Sequence, residues 1–329
     1  MSRLPRFALL PGLLAGTLAL AACGGAQDSS EPSGTAAPEG KTVEIGITQI
    51  VTHPSLDAAR EGFKKAIADG GIKAEYEEQN AQGDQATATS IATKFAKKDL
   101  VLAIATPTAQ AAAQAITDVP VMITAVTDPV KAGLVDSLEK PGGNITGTTD
   151  LNPVEEQLKL IKEIAPDAKT VGIVYSSGEV NSQVQVDLAT KAAPALGLTI
   201  KPVTVTNSAE VQQAANSLDV DAIFVPTDNT VVSSIESLLQ AAATAKIPVV
   251  TAEGDSVKRG GMATYGIDYE KLGYQTGEMA VKVLGGADPA TMPIERQEEL
   301  QLIVNPKAAK AAGVTLPEAL VSRADTVIE

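Results

Sequence analysis

Beyond residue 42 the chain alternates short, β-branched apolar runs with longer Ala-rich stretches. The runs are VEIGITQI (43–50), IKAEYEEQ (72–79), LVLAIAT (100–106), VPVMITAV (119–126), TVGIVYS (170–176), TIKPVTV (199–205), DAIFVPT (221–227), IPVVTAE (247–253) and MATYGID (262–268). Several are almost continuously apolar, as expected of strands covered on both faces of a parallel sheet. Strands separated by stretches of helical composition argue βαβ units and an α/β fold. One intervening helix carries its own punctuation. Asn152 is read as its cap, Pro153 suits its first turn and Glu155 and Glu156 its positive end. Leu158, Ile161 and Ile164 or Ala165 then share one face, and Pro166 stops the run.

The pattern also repeats. VPVMITAVTDPV in the first half matches IPVVTAEGDSV in the second, and LAIATPTAQAAAQAI parallels AIFVPTDNTVVSSIESL. Two similar α/β halves joined near TTDLNP (148–153) predict a two-lobed molecule. Ligands of such sheets bind outside the carboxyl ends of the strands, so facing lobes would set their strand-end loops around one cleft.

The first 41 residues follow a different logic. Arg3 and Arg6 precede an apolar or small-residue stretch over 7–22, the composition of a signal peptide (1–22). Leu20-Ala21-Ala22-Cys23 resembles a bacterial lipobox, so Cys23 is expected to carry lipid and become the new N-terminus. It is the only cysteine in the chain, which excludes an internal disulfide. Residues 24–41 are Gly, Ser, Pro, Ala and acid without apolar periodicity, and with Cys23 they read as a lipidated, flexible tether over 23–41.

Charge and composition narrow the function. The net charge is −14 and no basic cluster occurs, so nucleic acid is a poor partner. One histidine, His53, excludes a His-rich metal site. The loop after the first strand lacks G-x-G-x-x-G, and neither a phosphate-binding G-x-x-x-x-G-K-[ST] nor a G-x-S-x-G nucleophile elbow is present. No cofactor, no metal and no catalysis are expected. The strand-end loops are instead rich in Thr, Ser, Asn and acids. Thr106-Pro107-Thr108 and Asp228-Asn229-Thr230 each precede a helix, where hydroxyls and free amides suit a carboxylate. Asp228 or Asp128 could hold an ammonium by charge-assisted hydrogen bonding. Taken singly, each of these residues reads first as a plain helix cap; their convergence is what suggests a zwitterion. His53 either meets a ligand or caps the helix starting near Leu56, and Tyr175, Tyr265 and Tyr269 either wall the site or pack between lobes.

Several longer motifs carry a family resemblance. ITQIVTHPSLDAAREGFKKAI, NAQGD, AIATPTAQAAA, TAVTDPVKAGLV, PGGNITG, AIFVPTDNTV and ATYGIDYEKLGYQTGEMAVKVL resemble the substrate-binding lipoproteins of ABC transporters whose members bind aromatic amino acids. The likeness runs from about Val43 to Asn305. It implies a periplasmic-binding-protein-like fold of two doubly wound parallel sheets with three interlobe crossings. Residues 42–149 with about 262–290 would form the first lobe, and 150–261 with about 291–329 the second. By position it implies ligand contacts at Gln49, Ile50, His53, Thr106, Thr108, Ala109, Thr127, Asp128, Ser176, Ser177, Asn181, Asp228, Asn229 and Glu253, to which the helix start at Thr230 is added. The implied partners are a small ligand, a membrane permease and, through lipidated Cys23, the outer face of the cell membrane. An amino acid is the favoured ligand. A nucleoside carrier, an exported enzyme using paired carboxylates and a ligand sensor are the alternatives left open.

Overall fold

The computed structural model describes residues 42–297 and 299–329. The signal peptide, Cys23 and the tether lie outside the described residues. The first half reads β1 (Val43–Gln49), α1 (Pro54–Asp69), β2 (Ala74–Asn80), α2 (Gln85–Phe95), β3 (Leu100–Ile104), α3 (Thr106–Ala115), β4 (Val121–Val126) and β5 (Ile145–Thr149). The second reads α4 (Val154–Ile164), β6 (Thr170–Ser176), α5 (Val180–Ala192), β7 (Thr199–Val205), α6 (Val211–Asn216), β8 (Ala222–Val225), α7 (Asn229–Ser233), α8 (Ile235–Ala245), β9 (Val249–Thr251), α9 (Gly254–Lys258) and β10 (Ala263–Gly266). The chain ends with α10 (Tyr269–Leu284), β11 (Glu295–Arg296), β12 (Gln301–Val304), α11 (Pro306–Ala311), α12 (Glu318–Ser322) and β13 (Thr326–Val327).

Two sheets result, ordered β11-β5-β4-β3-β1-β2 and β13-β12-β10-β9-β8-β6-β7. Their inner orders, β2-β1-β3-β4-β5 and β7-β6-β8-β9-β10, are the same doubly wound arrangement. The repeated sequence segments occupy equivalent places: β3–α3 matches β8–α7, and β4 matches β9. Every residue of β3 and β4 is buried, which explains their unbroken apolar character.

The backbone passes between the sheets three times: after β5, after β10 and after β11. Two expected boundaries move. The segment from 262 was placed in the first lobe, yet β10 pairs with β9 and β12 in the second sheet, so the second crossing falls at Ile267–Asp268. The segment from 291 was placed in the second lobe, yet β11 pairs in parallel with β5 of the first. The second sheet is also not wholly parallel, because β12 runs antiparallel to β10. Parallel strands finish at the cleft edge. A chain returning there from the first lobe must start its next strand at that edge and run away from it.

Between β10 and β11 the chain contributes α10 to the first lobe, packed along α1. Backbone meets backbone here: a Cβ added at Gly273 would sit 1.9 Å from the Ala59 carbonyl oxygen, and one at Gly62 would sit 2.0 Å from that of Glu270. The expected cap of α4 differs too. The helix begins at Val154 with Pro153 in the cap position, while Asn152 Nδ2 donates to the Asp150 carbonyl. Leu158, Ile161 and Ile164 are buried as the spacing required.

Candidate functional site

The carboxyl ends of both sheets meet along one gap, and direct hydrogen bonds cross it. Ser55, in the first turn of α1, lies 2.8 Å from Glu253 Oε2 and 3.1 Å from Asp255 Oδ2 of the second lobe and donates to this acidic pair. Thr127 Oγ1, beyond β4, is 3.3 Å from Thr227 Oγ1, beyond β8. The space left between the lobes is about 20 Å³, room for about one water. A ligand of amino-acid size therefore enters only when the lobes part.

Five of the expected residues line this space: His53, Asn181, Asp228, Asn229 and Glu253. So do Asp150, Thr227 and Tyr269, which complete its polar wall, and Leu56, Ala125 and Val232, which are its apolar part. The carboxyls here are deeply buried; Asp228 is 1% exposed, and Asp150 and Glu253 are 2% exposed. Among the described residues no lysine or arginine is buried. The cations beside the site, Lys258 and Arg259, pair with Asp255 and Glu236, and among the described residues no ion pair reaches Asp150, Asp228 or Glu253.

Each acid is held by donors of the protein. Asp228 caps α7 by accepting from the Val231 N–H, and its other oxygen accepts from the Ser176 N–H and Ser182 Oγ. Glu179 accepts from the Asn229 and Thr230 backbone N–H groups and from the side chains of Asn181, Asn229 and Thr230. At the α7 start, Asn229-Thr230, where a ligand carboxylate was expected, the first N–H groups are taken by Glu179 and Asp228. Glu253 accepts from Ser55 Oγ, the Asp255 and Ser256 N–H groups and Ser256 Oγ. Asp150 accepts from Thr127 Oγ1 at 2.9 Å and from the Tyr269 hydroxyl at 2.7 Å.

Most other expected residues are not part of this lining. Asp128 accepts from the Lys131 N–H in a local turn, away from the lining. The side chain of Gln49 is held by the Val51 carbonyl, Asp57 and Arg60. Thr108 bonds back to the Ile104 and Ala105 carbonyls. The buried hydroxyl of Thr106, at the α3 start, has no partner. Ile50, Ala109, Thr127, Ser176, Ser177 and Thr230 stand behind or beside the lining rather than in it. Backbone strain gathers on the same edge: Ala105 has φ 80° and Ala125 φ 55°, and β4 shifts register between Ile123 and Val126. Such conformations persist where the surrounding structure enforces them. His53 stands at the cap position of α1 without a side-chain capping bond, and its buried Nδ1 has no partner. Of the three tyrosines, only Tyr269 reaches the cavity; Tyr175 bonds Gln183, and Tyr265 packs on the second core.

Burial sets the protonation of this site. It pushes Asp228 up to about 7, helped by the neighbouring Glu179 carboxylate, and raises Asp150 and Glu253. It lowers His53 to about 4, with Arg259 adding to the effect. A raised acid retains in the fold a proton that the unfolded chain releases, so it costs stability as pH rises from about 4 toward its folded value. His53 acts oppositely between about 4 and 6.5. Above 6.5 the His53 contribution is spent and only the cost of the raised acids is left, to which Asp228 by itself adds a slope of at most about 1.4 kcal/mol per pH unit. The unliganded protein should therefore melt lower at pH 8 than at pH 6.5 in thermal unfolding, and Asp228→Asn should flatten that decline.

A family model for ABC transporter substrate binding proteins matches residues 44–328. The chain belongs to that family. Its proteins are the extracytoplasmic substrate-binding components of ABC transporters, which makes this chain a binding protein. A relative from Clostridioides difficile named tyrosine-binding protein is 46% identical over 279 residues, covering 82% of this chain and 81% of the relative. A solved Streptococcus structure, described as an ABC domain in complex with L-Trp, is 38% identical with a TM-score of 0.85, covering 88% of this chain and all of that one. The ligand-free, open structure of a Clostridium difficile substrate binding protein with adhesive properties is 47% identical, yet its TM-score is only 0.67, over 88% of this chain and 99% of that one. The nearer sequence has the less similar shape. That relative is described as open, whereas the gap between the lobes here is narrow.

Proposed function

We propose that this protein captures an amino acid with an aromatic side chain in the interlobe cleft and delivers it unchanged to a membrane permease. The carrying observation is the chemistry of the cleft: buried carboxyls and unpartnered acceptors, with no buried lysine or arginine among the described residues to match them. That wall suits a ligand bringing its own protonated amine. His53, Tyr269, Leu56 and Val232 offer an apolar and aromatic surface for the rest of the molecule. The start of α3, where the Thr106 hydroxyl is free, remains for the carboxylate. The tyrosine-binding relative and the L-Trp complex support the same ligand class. A nucleoside brings hydroxyls and ring nitrogens but no cation, and would leave the acids uncompensated. Closure follows as a population shift, because the ligand touches both lobes only when they meet. Cys23 anchors the protein by lipid to the outer face of the membrane, with 24–41 as its tether.

The test is thermal unfolding of the purified protein with L-tyrosine, L-tryptophan, L-phenylalanine, nucleosides and sugars. A true ligand at 100 times its Kd should add about 2.7 kcal/mol, a rise on the order of 4–5 °C for a chain of this size. Protection by aromatic amino acids supports the reading; protection by nucleosides or sugars alone overturns it.

A further inference from the structure

The cleft acids are not equivalent as acceptors. A carboxylate offers about four lone-pair sites. Glu253 meets four protein donors, and Glu179 five. Asp228 meets three, all from its own lobe. Asp150 meets two among the described residues, one on each oxygen, and lines the cavity with the rest of its capacity open. A second, independent feature belongs to the same space: Asn181 lines the cavity, is 3% exposed, and its buried Oδ1 has no partner. Both groups wait for a donor.

The place of Asp150 in the chain gives this acceptor a further consequence. It opens the first crossing, directly after β5. Tyr269, which bonds it, follows the second crossing as the first residue of α10. Thr127, its other donor, is the residue that meets Thr227 across the gap. One carboxylate thus ties two hinge segments and an interlobe contact to the cavity wall.

We propose that Asp150 is the carboxylate that receives the ligand's ammonium group, so that amine recognition occurs at the hinge itself. This rests on the amine reading above and moves the anchor from Asp228, whose oxygens serve the second lobe. Asp150 then sets specificity for the amine, and a ligand lacking one loses both the ion pair and its hold on the crossings.

The experiment measures Kd by titration calorimetry for L-tyrosine and for 3-(4-hydroxyphenyl)propionate, the same molecule without the amine. The wild-type protein should prefer L-tyrosine by roughly 30-fold, the discrimination of a charge-assisted hydrogen bond. Asp150→Asn should bring the two affinities close to equal. A purely structural role would weaken both ligands alike and preserve the ratio, and that result overturns the assignment. Should Asp150→Asn fail to fold, a crystal structure of the wild-type protein with L-tyrosine decides. The amine within hydrogen-bond reach of Asp150 supports the proposal, and the amine against Asp228 alone overturns it. Wild-type protein showing no preference for the amine overturns the underlying ligand reading instead, and the assignment with it.

Discussion

Asp228→Ala is expected to destabilise the protein by about 2–4 kcal/mol at pH 5, seen as a fall of about 3–7 °C in Tm. The carboxylate satisfies two buried backbone N–H groups, those of Ser176 and Val231, and the Ser182 hydroxyl. Alanine leaves all three without it. Each buried donor so stranded costs about 1–3 kcal/mol, while a hydroxyl can turn to another acceptor. Against this stands a gain: wild type holds a carboxyl that burial pushes up to about 7, and alanine has no charge to bury. The hydrogen-bond loss exceeds that gain at pH 5, where the folded carboxyl is still largely protonated and its cost is under about 2 kcal/mol. Asp228→Asn keeps one acceptor oxygen and should lose about half as much. Its deficit should shrink from pH 5 to pH 8, since only wild type bears the cost of ionisation over that range. Urea unfolding at the two pH values checks both statements. A deficit that grows with pH would mean that the charge of Asp228 is stabilising, contrary to the burial argument.

The same residue marks how far the sequence is legible. Apolar runs located the inner strands of both sheets to within a few residues, because strands covered on both faces have little freedom in composition. β5, with the sequence ITGTT, escaped that reading: it is buried through threonines and a glycine rather than through an apolar run. β12 escaped because four residues after a long helix carry too little pattern. The crossings were legible only through family likeness, and even so β10 and β11 fell on the wrong side, since no local feature of a strand says which sheet it joins. For the site, the strand-end loops supplied both residues that reach the cavity and residues that do not. His53, Asn181, Asp228, Asn229 and Glu253 reach the cavity, while Asp128 and Gln49, at equally promising addresses, turn to partners within their own lobe. Side-chain direction and the prior claims of local donors decide this, and neither is written in spacing. Asp150 was hidden for a different reason. It stands in TTDLNP, a stretch that reads as a joint between halves, and only the folded chain shows the joint to be part of the wall.

Gly273→Val should be the most damaging single change in the first lobe, with a loss of about 4 kcal/mol or more and with ligand binding lost alongside stability. Two effects compete. Glycine inside a helix costs about 1 kcal/mol relative to alanine, so a side chain at 273 should help α10 taken alone. The added Cβ, however, would lie 1.9 Å from a backbone oxygen of α1, and Gly62 makes the reciprocal approach 2.0 Å from a backbone oxygen of α10. A clash with a flexible side chain could be relieved by rotation; one with a backbone carbonyl requires the helices to separate. Separation exposes Phe63 and Met279, both fully buried between α1, α10 and the first sheet, and overpacking alone typically costs about 1–3 kcal/mol. Gly273→Ala should already lose stability despite its better helix propensity, and valine should lose more. Gly143→Ala is the control: a Cβ there meets nothing within 4 Å, so its Tm should stay within the small range of surface changes. The functional loss follows from position. Tyr269 is in the first turn of α10, and moving that helix withdraws the hydroxyl from Asp150 and shifts the second crossing. Equal Tm for Gly273→Ala and wild type would mean that α1 and α10 have more room than their backbones indicate.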